Sequence, residues 1–224
     1  MKLDFTVRTQ ADMEEAVARF GIVPLFQNSI EGFSIEEHVA KEAWFDSGQD
    51  GVWEWKGPVI RATGCAYGKL FEKKAAFVSP RWYAELANWR RDGYDLDARW
   101  DEGLLPREDH YLYTLIEQNQ PVISKGLKRL GGYGKEGRKG FDGAILRLQY
   151  MGYVVISDFV YLTDRQGRRY GWGVAEYSTP EHWLGEDFSR TVYRREPRES
   201  YQMLCDHLRG LLDVSEEQVR RFLK

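Results

Sequence analysis

Three helical stretches followed by two strand-like ones dominate the apolar and polar pattern in the second half of the chain. Across residues 107–119, Leu112, Leu115 and Ile116 recur at helical spacing, and the run ends before Pro121, because a proline disfavours helix in the residue preceding it. Ser124 is placed to cap a second short helix reaching about Leu130. After a glycine-rich loop at 131–140, Phe141, Ala144, Ile145, Leu148 and Met151 share one face of a third helix. Residues 153–161 are β-branched and aromatic, 163–169 form a turn, and 170–177 return as a second strand. Helix, helix, helix, hairpin is the order of a winged helix-turn-helix, which is expected over 107–178.

The rest of the chain carries weaker signals. A first helix is expected over 11–20 and stops at Gly21, and Val23-Pro24-Leu25-Phe26 reads as extended or turning. Ser34-Ile35-Glu36-Glu37 is a capping-box pattern that predicts a helix reaching about Phe45. Trp53-Glu54-Trp55 leads into a stretch with no clear period, with Ala66–Phe71 near its centre. Ser79-Pro80 starts a helix that Asp92-Gly93 ends, and 93–106 read as a loop. Two helices close the chain, over about 200–210 and 216–223. The predicted fold class is α+β, mostly helical, with winged helix-turn-helix character and small β-hairpins. Its expected parts are a helical region at 1–106, which has room for a divergent winged-helix unit, the winged helix at 107–178, and C-terminal helices at 179–224 packed on the core.

With 42% hydrophobic and 30% charged residues, the composition is that of a folded globular protein rather than a disordered one. No stretch approaches the ~20 apolar residues of a membrane span, and Met1–Phe5 lacks a signal-peptide pattern. Cys65 and Cys205 lie far apart, with neither zinc nor disulfide-framework spacing. These features predict a cytoplasmic protein without a membrane partner. The net charge of −3 hides an asymmetry. Residues 1–60 hold 5 Lys/Arg against 11 Asp/Glu, whereas 124–147 hold 7 against 2. A basic island in an acidic chain points to duplex DNA as partner, with Lys125, Lys128, Arg129, Lys135, Arg138, Lys139 and Arg147 meeting phosphates beside Arg168 and Arg169 (with Arg165) at the wing tip. Together they would form one positive rim. Winged helices also serve as protein-interaction modules, and charged helix faces are often only solvated, so that alternative stays open.

Other chemistry is sparse. Gly64-Cys65-Ala66-Tyr67-Gly68-Lys69-Leu70 lacks the spacing and the Ser/Thr of a phosphate-binding loop. His38, His110, His182 and His207 have no metal spacing, so no metal and no cofactor is expected, and the four read as surface or packing residues. Trp53 and Trp55, two apart, would share a face on a strand; they pack a core or offer a stacking surface to an extruded base.

Gly68–Tyr83, followed by Arg90-Arg91, resembles the central segment of the AlkZ-type winged-helix DNA glycosylases, in which an aromatic-rich stretch ends in an Ala-containing apolar run, a proline and a basic helix. A related bacterial group is closer still. Its members carry versions of Ala66-Tyr67-Gly68-Lys69, Arg90-Arg91-Asp92-Gly93-Tyr94-Asp95, 131–141, Leu148-Gln149 and Tyr177-Ser178-Thr179-Pro180-Glu181. The resemblance implies DNA binding and excision of damaged or alkylated bases. It departs from the pattern in two places: Lys74-Ala75 stands where the glycosylases carry His-Glu, and Phe26-Gln27-Asn28-Ser29 supplies one glutamine where their catalytic motif has two. Gln27 is therefore the catalytic candidate the resemblance implies, for orienting water, with a carboxylate yet to be placed. The alternative is a winged-helix DNA-binding protein without catalysis, or an interaction module.

Overall fold

A computed structural model describes residues 5–44 and 51–224. The first helix, α1 (Gln10–Phe20), is fixed at both ends by its own sequence. Thr9 and Asp12 form a reciprocal capping box, and Gly21, at φ 72°, takes the positive φ that stops the helix. The chain then enters β1 (Ile22–Pro24).

The helix expected from Ser34 does not form. Its capping hydrogen bonds are present, since Ser34 Oγ donates to Glu37 at 2.6 Å and Glu37 N–H donates back at 3.3 Å. Longer-range partners take the next backbone groups: Ile35 N–H bonds Pro24 O and Glu36 N–H bonds Leu25 O. The signal makes a turn, and helix appears only at α2 (Lys41–Trp44); Phe45 lies outside the described residues.

The stretch after Trp53 is a helix too. α3 (Val52–Thr63) contains Pro58, the residue that obscured it, and ends at Gly64 in the left-handed region. β2 (Ala66–Phe71) and β3 (Lys74–Val78) form a hairpin the pattern did not reveal. α4 (Pro80–Arg91) starts and stops where predicted. The expected loop after it contains α5 (Leu96–Asp101), capped by Asp95.

The predicted three helices and hairpin are all present. α6 (Arg107–Asn119), α7 (Ser124–Leu130) and α8 (Phe141–Tyr150) precede β5 (Val155–Thr163) and β6 (Arg169–Ser178), which pair antiparallel from Val155↔Ser178 to Thr163↔Arg169. Two details differ. The N-cap of α7 is Ile123, not Ser124, and β4 (Val122–Ile123) pairs with β6. Beyond the hairpin lie α9 (Pro180–Thr191), kinked at Gly185, then α10 (Pro197–Leu211) and α11 (Glu216–Leu223).

Among the described residues, the hairpins join into one six-stranded antiparallel sheet, ordered β1-β3-β2-β5-β6-β4, with Tyr67↔Ile156 linking the two halves. The sheet is therefore larger than the small separate hairpins expected. One apolar core runs from Val7 to Leu223, and Phe222 of α11 stacks on Phe71 at 4.5 Å. The basic pair of α4 is internal. Arg91 donates to Glu181 (2.7 Å), the Tyr193 hydroxyl (2.9 Å) and Gly152 O (2.7 Å), while Arg90 donates to Tyr150 O and Leu223 O. These arginines tie α4 to the segments around Gly152, Glu181 and Leu223. Among the described residues, no helix is long and apolar enough to cross a membrane.

Candidate nucleic-acid interface

A cleft of about 810 Å³ opens between α3 and the β5–β6 hairpin. Helical spacing puts Glu54, Trp55, Pro58 and Arg61 of α3 on one wall. Strand alternation puts Phe159 and Tyr161 of β5 on the other, and Arg168, Arg169 and Tyr170 close its end. Gly57 allows the walls to approach: a Cβ there would sit 2.7 Å from Asp158 Oδ1. Arg61 pairs with Asp158, whose Oδ1 also accepts from Phe159 N–H. Burial, and then the facing Asp158 carboxylate, raise the Glu176 carboxyl above its ordinary range.

Behind Phe159 lies a buried amine. Lys56 Nζ sits 3.4 Å from the Trp53 ring centroid and 4.3 Å from that of Phe159. Burial lowers its pKa to about 8. Trp53 meets Trp172 edge-on at 6.1 Å and Phe26 at 6.5 Å. Trp172, on β6, is 62% exposed, so an aromatic run reaches from the chain after β1 out to the hairpin surface.

The expectation that Trp53 and Trp55 share a face fails, because both are on a helix, where residues two apart point in nearly opposite directions. Trp55 is buried in the cleft wall and Trp53 is half-buried on the far side. The rings that offer area to the cleft are Phe159, Tyr161 and Tyr170. The signal that could have found two of them is the pair of aromatics at alternate positions of a strand, Phe159 and Tyr161.

The expected single basic rim is divided among three places. Arg168 and Arg169 line the cleft; Arg168 pairs with Asp164 at 2.9 Å and Arg169 lies over Tyr161. Lys128, Arg138 and Lys139 line a separate pocket at the start of α8. Lys128 faces Asp142 at 3.3 Å, Arg138 faces Glu108 at 2.9 Å, and Lys139 donates to the carbonyls of Gly134 and Lys135. Arg147 makes a bidentate pair with Asp109, which is 0% exposed. Lys125, Arg129, Lys135 and Arg165 make no ion pair among the described residues. Glu108 also accepts from the Tyr133 hydroxyl at 2.5 Å, which anchors the 131–140 loop on α6.

Gln27 is exposed and does not line the cleft. Its N–H donates to Glu36 at 2.8 Å, and its carbonyl accepts from Lys74 Nζ at 2.6 Å, so the two departures from the glycosylase pattern meet in space. The neighbouring Phe26 packs on Trp53, one residue from Glu54. Packing accounts for three of the histidines: His207 stacks on Trp82 at 3.8 Å, His110 on Trp100 at 4.2 Å, and His38 against Phe5 at 4.1 Å.

A family model described as AlkZ related matches residues 7–224. No curated protein and no solved structure matches the chain.

Proposed function

The chain belongs to the AlkZ-related family, and on that premise we propose that it binds duplex DNA and receives an extruded nucleotide in the cleft between α3 and the β5–β6 hairpin. The observation that carries this reading is the cleft's lining: Phe159, Tyr161 and Tyr170 to stack on a base, Arg168 and Arg169 to hold phosphates, and the Glu54 carboxylate on the facing wall. The segment 107–178, with β4 completing the hairpin sheet, is read as a winged helix-turn-helix whose hairpin is the wing. α8 packs Ala144, Ile145, Leu148 and Gln149 inward and leaves Asp142, Gly143 and Arg147 exposed, the face a reading helix would present.

Excision of a damaged or alkylated base would break the N-glycosidic bond at C1′, with the base leaving and water oxygen adding to the sugar. Glu54 takes the carboxylate role: it is held near the start of α3 by the Gly51 N–H at 3.3 Å and faces the cleft. It would polarise the water or face the developing sugar cation. Gln27, beside Phe26, would have to orient that water from the flank of the cleft. A second reading, DNA binding without excision, is favoured by the position of Gln27 outside the cleft lining and by the missing second glutamine. Incubation with alkylated duplex DNA, scored for abasic sites, separates the two. Abasic sites that disappear in Glu54→Gln support excision; DNA binding with no abasic sites supports the second reading.

A further inference from the structure

A cavity of about 560 Å³ lies between α8 and the β2–β3 turn and shares no lining residue with the cleft. The surface facing it is almost wholly apolar, supplied by Leu146, Tyr150, Met151 and the methylene stems of the cations around it. Both walls are fixed. Gln149 Oε1 accepts from Lys69 N–H, and Gly68 permits that approach, since a Cβ there would lie 2.9 Å from the same oxygen. The Tyr150 ring is held by the Arg90 guanidinium at 4.2 Å, and its hydroxyl donates to Lys224 O at 2.7 Å.

The charges around this apolar surface are unbalanced. Arg147 is neutralised by Asp109, and Glu72 is the one acidic side chain among the described lining residues. Lys69 and Lys73 also line the cavity and make no ion pair among the described residues. Glu72 and Lys73 are the two central residues of the β2–β3 turn, at φ 49° and 60°. Asn-Gly is the usual choice at such positions, and side chains there cost conformational energy. Two long charged side chains thus stand at the tip of this turn, beside the cavity.

We propose that this cavity binds a small amphipathic anion, an aromatic or aliphatic carboxylate whose apolar body lies on Leu146, Tyr150 and Met151 and whose head group lies between Lys69 and Lys73. The volume is within the range of small-molecule sites, and the mix of apolar surface and few cations suits one charged head on one apolar body.

The test titrates the full chain with 1-anilinonaphthalene-8-sulfonate and maps the backbone amide shifts by NMR. Saturable binding with Kd on the order of 10–100 µM is expected for a ligand of this size. Shifts should fall in 69–73 and 146–151, and decanoate should displace the probe. The double variant Lys69→Gln, Lys73→Gly should weaken binding about tenfold. Glycine at the positive-φ position should at the same time raise Tm, so weaker binding cannot be assigned to a damaged fold. Shifts confined to other regions, or unchanged affinity in the double variant, would overturn the proposal. Displacement by sulfate or a short DNA duplex as effective as by decanoate would overturn it as well, since that marks a general phosphate-binding patch.

Discussion

The hairpin cleft and the 131–140 loop are both rich in arginine and lysine, yet the fold treats them differently. In and around the loop most cations have a partner within the chain: Arg138 on Glu108, Lys128 on Asp142, Lys139 on two carbonyls, and Arg147 on the buried Asp109. At the hairpin, Arg168 pairs with Asp164, but Arg169 lies over the Tyr161 ring and Arg165 makes no ion pair among the described residues, and all three stand near exposed Tyr170 and Trp172 on a hairpin extending beyond the core. Positive charge counted along a sequence is therefore not the charge available to a partner. The loop, which is the denser basic cluster in the sequence, has the more fully engaged cations, and the hairpin tip has basic and aromatic surface together.

The sharpest break of this comparison is Arg147→Ala. It strips the half-exposed partner from a buried carboxylate, so unfolding free energy in a denaturant titration should fall by about 2 kcal/mol. A change under about 0.5 kcal/mol would return Arg147 to the pool of ligand-facing cations. Next is Glu54→Gln: if excision is observed, the rate should drop about 10²-fold with duplex affinity preserved, as for the removal of an acid–base group. Gln27→Ala should cost no more than about tenfold in the same single-turnover assay, given its place outside the cleft. The reverse order would move the chemistry to the segment after β1.

Salt-dependent binding then compares the two regions directly. Arg165→Ala with Arg169→Ala, the two hairpin cations without an ion pair among the described residues, should reduce the slope of log affinity against log salt by about 2, one for each phosphate no longer neutralised. The triple change of Lys135, Arg138 and Lys139 to alanine should reduce it by no more than about 1, since two of those cations are already bonded within the protein. Equal slopes would erase the distinction between loop and cleft.

The smallest effect concerns Lys56. The pKa of its amine is lowered from 10.5 to about 8 by burial, which outweighs the attraction of the Glu54 carboxylate. The folded state thus holds its proton less tightly than the unfolded chain. The resulting penalty is fully present below pH 8 and is relieved as pH rises from 8 toward 10.5. Lys56→Met should be more stable than the parent by about 1 kcal/mol at pH 7, and the difference should shrink by pH 10. A pH-independent difference would mean that the amine stays protonated throughout.

The sequence by itself determined the elements whose signals are local. Gly21 after α1, Ser79-Pro80 before α4, the apolar face of α8, and the β-branched strands around the 163–169 turn all depend on neighbours within a few residues, and all appear where expected. Only the tertiary structure decided what Ser34–Glu37 would become, because its capping bonds form while the backbone ahead is drawn to Pro24 and Leu25. The same holds for the sheet, whose two halves meet through Tyr67 and Ile156, and for α3, whose Trp53 and Trp55 read as strand-like until packing kept a proline inside a helix. The candidate site falls on this second side. A cleft exists only where Gly57 lets α3 approach Asp158, and a cation is available only when no carboxylate from a distant element reaches it first. Arg147 and Asp109 are 38 positions apart, and Arg61 and Asp158 are 97 apart, separations that no local pattern encodes.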